Sequence, residues 1–178
     1  MSKLKKQETG IDDLLILTPN IYEDNRGYFM ETYNKKDFLD VGIKVNFVQD
    51  NQSKSVKGVL RGLHFQKKYS QSKLVRVIKG EVFDVAVDLR KDSITYKQYF
   101  GIILSEENKK QFFIPKGFAH GFLVLSNEAE FLYKCDDFYH PEDESGILFN
   151  DKSINIKWPF EKIGGIDKIL MSAKDKRW

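Results

Sequence analysis

The chain contains three histidines, and none of them lies within five residues of another: His64, His120 and His140. His64 follows Arg61 in the segment RGLHFQ. On a strand, its side chain would share a face with Gly62 and Gln66. Glycine would leave space there for a ligand, and an adjacent arginine can fork onto phosphate or carboxylate oxygens. The segment therefore indicates a ligand site, although a histidine paired with a backbone carbonyl would give the same pattern.

Other residues with chemical potential give weaker signals when each is considered alone. His120 follows the segment IPKGFA, which favours either a tight cavity wall or a structural turn. Lys73 opens a predicted strand, where a lysine usually points to water. Tyr133 and Cys135 would share one strand face as packing residues, and nothing supports a nucleophilic thiol. Asp175 lies near the C-terminus, where charged residues are ordinarily solvated.

The motifs of common cofactor and catalytic sites are absent from the sequence. It contains no GxGxxG after a strand, no GxxxxGK[ST] loop, no GxSxG elbow, no CxxC and no HExxH. A metal oxygenase built on a β-barrel commonly uses two histidines and a carboxylate around one open site. The separated histidines disfavour a metal site, although His64 and His120 could still meet in space.

Composition and charge indicate a soluble globular protein. Hydrophobic residues make up 41% and charged residues 31% of the 178 residues, and 29 basic against 26 acidic residues give a net charge of +3. This balance does not favour a nucleic-acid partner. No apolar run approaches the roughly 20 residues of a membrane helix, and no apolar segment follows the first lysines, so we expect neither membrane span nor secretory signal. The single cysteine cannot form an internal disulfide, and we expect a cytoplasmic protein.

Short strands separated by turn signals dominate the chain. The strand at 82–89 alternates, with Val82, Asp84 and Ala86 on one face and Val85 and Val87 on the other. A turn at 79–81 predicts that this strand forms a hairpin with the one before it. We predict a helix at 35–41 and strands at 27–33, 45–49, 59–66, 73–78, 82–89, 98–104, 111–114, 121–125, 130–135, 146–149 and 154–157.

Many short strands at a spacing of about ten residues favour an all-β sandwich or barrel with few short helices. The strand count suits a jelly roll, which has about eight strands in two sheets. We expect one domain over residues 1–178, in which the polar residues 1–12 form a flexible N-terminal tail.

Long motifs follow one another in order along the chain. They are D-x-RG-x-F at 24–29, FVQDN at 47–51, LRGLHFQ at 60–66, KLVR at 73–76, FDVAVDLR at 83–90, IPKGFAHGF at 114–122, YKC at 133–135 and WP at 158–159. Together they resemble the dTDP-4-dehydrorhamnose 3,5-epimerase family of cupin-type sugar-nucleotide epimerases. The resemblance extends from about residue 14 to residue 175, so a chance match is not credible.

The resemblance implies a cupin-type jelly roll and a homodimer in which a strand of each subunit reaches across to its partner. It also implies a nucleoside-diphosphate 4-keto-6-deoxy sugar as the substrate. Neither a metal nor an organic cofactor is implied.

Roles follow from the resemblance position by position. His64 matches the base, Asp175 the carboxylate that pairs with it, Lys73 the cation near the keto oxygen and Tyr133 the proton donor. Nine further residues match substrate-binding positions: Arg26, Glu31, Gln49, Asn51, Arg61, His120, Tyr139, Glu144 and Lys174. The first four of these nine are expected to serve the neighbouring subunit's site.

These residue types suit the removal of a proton next to a ketone. Neutral imidazole, with an ordinary pKa near ~6.5, suits the base, and a carboxylate can hold its tautomer. A cation at the oxygen stabilises the charge that develops there, and one such donor is typically worth about 3 kcal/mol. A phenol can return a proton from the opposite face, and the forked donors of Arg61 and Arg26 suit the two phosphates.

The leading prediction is epimerisation at C3 and C5 of dTDP-4-dehydro-6-deoxy-glucose in dTDP-rhamnose biosynthesis. An epimerase that acts on one carbon only, or on another nucleotide, remains open because pocket shape decides between them. A 3,4-ketoisomerase fits the motifs less well. Two other classes also remain open, a metal-dependent cupin oxygenase and a non-catalytic sugar-nucleotide binding protein.

Overall fold

The computed structural model describes residues 4–177, and strands account for most of its regular structure. One α-helix, α1, spans Lys35–Asp40, and short 3₁₀ helices occur at Pro141–Asp143, Phe160–Ile163 and Ile166–Lys168. The strands are β1 Leu4–Glu8, β2 Leu15–Pro19, β3 Ile21–Asp24, β4 Gly27–Met30, β5 Gln49–Val56, β6 Leu60–Gln66, β7 Lys73–Lys79, β8 Glu81–Asp88, β9 Tyr99–Ser105, β10 Gln111–Ile114, β11 Phe118–Val124, β12 Glu128–Cys135 and β13 Glu144–Gly146. The expected all-β class is therefore confirmed.

The strands form a jelly-roll sandwich. One sheet has the order β1-β2-β10-β7-β12-β5 and the other β13-β6-β11-β8-β9, and all the pairings within them are antiparallel. Successive strands from β5 to β8, and again from β9 to β13, pass from one sheet to the other. This crossing places the ends of strands from both sheets around a shared interior, as in cupin-type folds.

The predicted hairpin between β7 and β8 is wrong. β7 pairs with β10 and β12, whereas β8 pairs with β9 and β11 in the opposite sheet. Gly80 connects them with a φ of +76°, and a side chain there would collide with the backbone of Glu128. A short turn between two strands thus changes sheet here, which the local sequence pattern does not distinguish from a hairpin.

The structure also differs from the sequence prediction at the N-terminus. Residues Leu4–Glu8 form an edge strand paired with β2, and the side chains of Leu4 and Ile11 are buried, so the predicted flexible tail over 1–12 is wrong within the described residues. Residues 1–3 lie outside those residues. The helix at 35–41 is confirmed to within one residue, while 45–48 and 154–157 are not strands.

Apolar residues fill the space between the two sheets. Phe112 and Phe131 from one sheet pack with Val82, Ala86 and other buried residues from the opposite sheet. The predicted alternation of β8 is confirmed, because Val85 and Val87 instead contact a second apolar cluster on the outer face of their sheet. Burying a side chain the size of Phe typically contributes about 1.5–3 kcal/mol.

The C-terminal segment covers that outer face of the five-stranded sheet. Trp158 is buried in the second cluster, and its indole donates a hydrogen bond of 2.8 Å to the carbonyl of Phe149. Leu170 exchanges backbone hydrogen bonds with Gly58 and Leu60 at 2.8 and 2.9 Å, which fixes the segment beside the start of β6. These contacts set the course of the chain just before Asp175.

No helix within residues 4–177 combines the length and the apolar character that crossing a membrane requires.

Candidate active site

A cavity of about 300 Å³ lies between the two sheets. A neighbouring cavity of about 410 Å³ shares four of its lining residues, Asn51, His64, Lys73 and Tyr133, so the two form one cleft. The first cavity is further lined by Gln49, Phe65, Gln66, Ser70, Gln71, Phe118, Cys135, Tyr139 and Glu144. The second adds Arg61 and His120, so most of the residues predicted for the site surround a single space.

His64 and Asp175 form a hydrogen-bonded pair, although they are 111 positions apart in the chain. Nε2 of His64 contacts Oδ1 of Asp175, and the Asp175 side chain is only 5% exposed rather than solvated. Its other oxygen, Oδ2, accepts a hydrogen bond of 2.7 Å from the hydroxyl of Ser172. This arrangement holds the proton on Nε2 and leaves Nδ1 as the basic nitrogen.

Burial lowers the pKa of His64, and the paired carboxylate of Asp175 only partly opposes this effect. Glu144 acts in the same direction as Asp175, and the ammonium of Lys73 acts with burial. The imidazole is therefore kept neutral at physiological pH. A neutral imidazole is the protonation state that a general base requires.

An irregularity in β6 places Arg61 and His64 on the same wall of the cleft. His120 of β11 lies opposite His64, but Phe122 lies opposite Arg61, so β6 has one extra residue between the paired positions. The space beside Gly62 is occupied by backbone, since an added Cβ would lie 2.5 Å from Cα of Gly121. The prediction that Gly62 leaves room for a ligand is therefore wrong, because the glycines allow a close approach of two strands.

His120 forms a second histidine–carboxylate pair within the same cleft. Its Nε2 lies 3.0 Å from each carboxylate oxygen of Asp84, which is fully buried on the interior face of β8. Asp84 is not among the residues predicted for the site from the sequence. The available signal was its position between Val82 and Ala86 on one strand face, where a carboxylate needs a buried partner.

Lys73 lies in the wall of the cleft and does not point to bulk water as the strand-end position suggested. Burial lowers its pKa, while Cys135, Asp84 and Glu144 act in the opposite direction. Among the described residues, none forms a hydrogen bond or an ion pair with its ammonium group. The amine is therefore available to a bound molecule.

Tyr133 and Cys135 share the interior face of β12, and Cys135 lies opposite Lys73 across the sheet. Burial raises the pKa of the Tyr133 phenol, and it raises the pKa of the Cys135 thiol to about 11. Both groups therefore keep their protons at neutral pH. Tyr133 can thus donate a proton, whereas Cys135 is not a thiolate nucleophile.

Gln49 and Asn51 lie on β5 and line the same cavity as His64 of their own chain. The amide of Gln49 donates to Oδ1 of Asn51 at 2.9 Å, and Nδ2 of Asn51 lies 3.8 Å from Sγ of Cys135. The prediction that these two residues serve the neighbouring subunit's site is therefore wrong. The pairing of β5 with β12, which sequence spacing does not reveal, brings them beside Tyr133 and Cys135.

Glu144, Tyr139 and Lys174 form a polar cluster at the rim of the cavity. The hydroxyl of Tyr139 donates to Glu144 at 2.6 Å, and the ammonium of Lys174 contacts the same carboxylate oxygen. Burial would raise the pKa of Glu144, but these two partners hold it below its ordinary value. The carboxylate is thus charged, and the cluster joins the C-terminal segment to the rim.

Arg26 and Glu31 are not brought to the cavity of their own chain. Arg26 lies on the β3–β4 hairpin, where its guanidinium pairs with Asp24 at 2.6 Å. Glu31 follows the hairpin and accepts a hydrogen bond of 2.7 Å from Asn34. Both residues precede β5, the first strand that lines the cavity, and they lie on a part of the chain that projects from the sandwich.

The residues from 4 to 177 include no group of three or more His, Cys, Asp or Glu side chains arranged to hold a metal ion.

Comparison with known proteins identifies the family. A family model described as dTDP-4-dehydrorhamnose 3,5-epimerase matches residues 8–178. The chain belongs to this epimerase family. A family member from Methanothermobacter thermautotrophicus, named dTDP-4-dehydrorhamnose 3,5-epimerase, is 54% identical over 178 residues, which are 100% of this chain and 95% of that protein. The predicted family, enzyme class and cupin-type fold are thereby confirmed.

Two solved structures of epimerases extend this similarity. The epimerase from Legionella pneumophila, in complex with dTDP-4-keto-L-rhamnose, is 52% identical with a TM-score of 0.92, and the match covers 97% of this chain and 90% of that one. The epimerase from Bacillus anthracis, with TDP and PPi bound, is 45% identical with a TM-score of 0.92 over 98% and 97% of the two chains. Members of this epimerase family therefore bind thymidine nucleotides on the same fold.

Proposed function

We propose that this chain epimerises C3 and C5 of dTDP-4-dehydro-6-deoxy-glucose and so forms dTDP-4-dehydro-rhamnose in dTDP-rhamnose biosynthesis. The observation that carries the proposal is the convergence of the His64–Asp175 pair, Lys73 and Tyr133 on one cleft. These groups supply a base, a cationic partner for an oxyanion and an acid. They are the three functions that inversion next to a ketone requires.

In the proposed reaction, Nδ1 of His64 removes the proton from the carbon beside the C4 ketone. The electrons of that bond form an enolate, whose negative charge lies on the former keto oxygen. Asp175 stabilises the imidazolium that results and keeps the ring in place. Reprotonation of the carbon from the opposite face by the phenol of Tyr133 inverts the centre.

Lys73 is the proposed partner of the enolate oxygen. Its ammonium group has no competing hydrogen bond or ion pair among residues 4–177, so it can meet the developing charge directly. A fixed donor in a site shielded from water stabilises such a charge without reorganisation. No metal or organic cofactor has a task in this scheme, because side chains supply each function.

The sugar nucleotide is proposed to contact Gln49, Asn51, His120 and Glu144 along the cleft. Arg61, whose Nε donates to Ser55 at 3.1 Å, is exposed at the opening and suits the diphosphate. Tyr139 and Lys174 lie at the rim and are proposed to complete the binding surface. The nucleotides bound by the two epimerases described above support this class of substrate.

We further propose a homodimer in which the β3–β4 hairpin reaches the neighbouring subunit. Among residues 4–177, the two strands of this hairpin pair only with each other, and Tyr22, Tyr28 and Phe29 on it are 53%, 56% and 68% exposed. A cluster of exposed aromatic side chains is typical of an interface. Arg26 and Glu31 would then act in the partner's site, as the sequence analysis predicts.

A cytoplasmic location and a single functional domain over residues 1–178 are also part of this proposal. The buried thiol of Cys135, which is not in a disulfide, suits a reducing compartment. Fractionation of cells that produce the protein would test the location.

Proton NMR of dTDP-4-dehydro-6-deoxy-glucose in heavy water tests the reaction. Wild-type protein with a chelator should introduce deuterium at both C3 and C5. His64→Ala should slow both exchanges by roughly 100- to 10,000-fold, the usual contribution of a positioned base. Lys152→Ala removes an exposed side chain that lines neither cavity and is the control, for which exchange at both carbons should persist.

The other outcomes of this experiment separate the alternatives. Exchange at one carbon only would identify an epimerase specific for that carbon. Normal exchange by His64→Ala would contradict the assignment of the base. Binding of the sugar nucleotide by the wild type without any exchange would favour a non-catalytic binding protein.

A further inference from the structure

Gln66 is a buried residue of the cavity wall to which the proposed mechanism assigns no task. It is the last residue of β6, two positions after His64, and its side chain is only 6% exposed. It lines the cavity and lies opposite Glu144 across the β6–β13 pair. A polar side chain at such a place must satisfy its hydrogen-bonding groups within the protein or with a ligand.

The amide of Gln66 joins two separate loops. Its Nε2 donates to the carbonyl of Tyr69 at 2.6 Å and to the carbonyl of Phe138 at 3.3 Å. Its Oε1 accepts a hydrogen bond of 2.6 Å from the backbone N–H of His140. One side chain thus connects the loop after β6 with the loop after β12.

These two loops form the rim of the cavity. The first contributes Ser70 and Gln71 to its lining, and the second contributes Tyr139 and leads to Glu144. Outside the cavity, Asp143 holds the loops together by accepting hydrogen bonds of 2.8 Å from two backbone N–H groups of the first loop. Within it, Gln66 makes the bonds on both sides of Tyr139, at Phe138 and His140.

We propose that Gln66 is a positioning residue, which fixes the Tyr139 and Glu144 rim in the arrangement that contacts the nucleotide portion of the substrate. This inference rests on the proposed function, because it takes the bound molecule to be a thymidine sugar nucleotide. A rim held in the binding-competent arrangement avoids an ordering cost at the moment of binding. Gln66 therefore affects KM through the backbone of the loop after β12, and it takes no part in the chemical step.

Only an amide side chain of this length satisfies all three partners. Two carbonyls need donors and one N–H needs an acceptor, which a carboxylate or an apolar side chain cannot supply together. Gln66→Met keeps a similar length and removes every one of these hydrogen bonds. Gln66→Glu keeps the acceptor for His140 but places an oxygen against the carbonyls of Tyr69 and Phe138.

Gln66→Met should raise KM about tenfold, which corresponds to about 1.4 kcal/mol, and should change kcat less than about twofold. Gln66→Glu should show a KM that improves as the pH falls, because protonation of the introduced carboxyl restores one donor. Gln98→Met, at an exposed glutamine away from the cavity, is the matched control and should leave KM unchanged. An unchanged KM for Gln66→Met, or a large loss confined to kcat, would overturn the proposal.

A double-mutant cycle with Tyr139→Phe tests the route of the effect. If Gln66 acts by placing Tyr139, the KM increase caused by Gln66→Met should be clearly smaller in the Tyr139→Phe background than in the wild type. Multiplicative effects would instead mean that Gln66 and Tyr139 act independently, which contradicts the proposal.

Calorimetric titration with dTDP separates this inference from the proposed function. Weaker dTDP binding by Gln66→Met, with a circular dichroism spectrum like that of the wild type, supports the positioning role even if no epimerisation occurs. Equal dTDP affinities of Gln66→Met and wild type would overturn it even if the wild type is an active epimerase.

Discussion

The protonation state of His64 depends on opposed influences within a few ångströms. Burial favours the neutral ring, whereas Asp175 and Glu144 favour the charged ring. The net effect is a lowered pKa, so the proposed base remains unprotonated to lower pH than a free histidine would. The carboxylate therefore has two consequences: it orients the ring, and it limits how far burial lowers the pKa.

Asp175→Asn should separate these consequences in a pH profile. Because Asp175 raises the pKa of His64, its neutralisation leaves burial dominant, and the acid limb of kcat/KM should move to lower pH. The plateau should fall by about 100-fold or more, since the imidazolium loses its partner. The measurement is kcat/KM between about pH 4 and 9, a range that extends well to both sides of the ordinary histidine pKa of about 6.5.

Asp167→Asn provides the matched control at an exposed carboxylate of the same C-terminal segment. It should reproduce the wild-type profile. An acid limb that moves to higher pH in Asp175→Asn would show that Asp175 does not act on His64 as inferred.

The approach of β6 and β11 decides which side chains meet in the cleft. A Cβ on Gly121 would lie 2.6 Å from the carbonyl oxygen of Arg61 and 2.9 Å from the side chain of Leu63. Because two backbones pack here without a side chain between them, His64 and His120 become direct cross-strand neighbours. The glycines are therefore needed for strand packing and, through it, for the site.

Gly121→Ala should lower the free energy of unfolding by about 1–3 kcal/mol, the usual cost of overpacking, because the added methyl meets backbone that cannot rotate away. Denaturant unfolding measures this loss. Epimerase activity should also fall, since separation of the strands moves Arg61 and His64 relative to His120. Wild-type stability together with wild-type activity would contradict the close approach of these strands.

At the scale of the whole molecule, the site of one chain lacks two residues that the family resemblance predicts for it. Arg26 and Glu31 belong to the region of the projecting hairpin. Its aromatic side chains are exposed, and within the described part of the chain its two strands pair only with each other. The proposed homodimer accounts for both facts. It predicts that each complete site draws residues from two chains.

Subunit mixing tests this prediction directly. Arg26→Ala and His64→Ala homodimers should both be poorly active. Their unfolded and refolded mixture should recover about a quarter of the wild-type activity per subunit, because half of the randomly assorted dimers are mixed and each holds one intact site. A mixture no more active than its components would contradict the shared site, and light scattering that finds a fully active monomer would contradict the dimer itself.

Local patterns in the chain were sufficient for the fold class, and most of the site was predicted from the resemblance of the longer motifs to the epimerase family. Period-two alternation identified the two faces of β8 correctly, and the segments around His64 and Tyr133 indicated the family to which the chain belongs. These features are local, because side-chain direction along a strand depends on the strand's own pleat. The roles of the site residues on these strands followed from the family resemblance, because Lys73 and Tyr133 taken singly predicted a solvent-facing lysine and a packing tyrosine.

Features that depend on pairing between distant segments could be identified only from the three-dimensional structure. The turn at Gly80 changes sheet instead of closing a hairpin, and the extra residue in β6 turns Arg61 into the cleft. The role of Asp84 as the partner of His120 became visible only from the pairing of β8 with β11. Asp175 follows a segment without regular periodicity, and backbone bonds at Leu170 set the path that takes its carboxylate to His64. Sequence periodicity predicts to which face of a strand a side chain points. The neighbours of that side chain depend on contacts that form only when the chain folds.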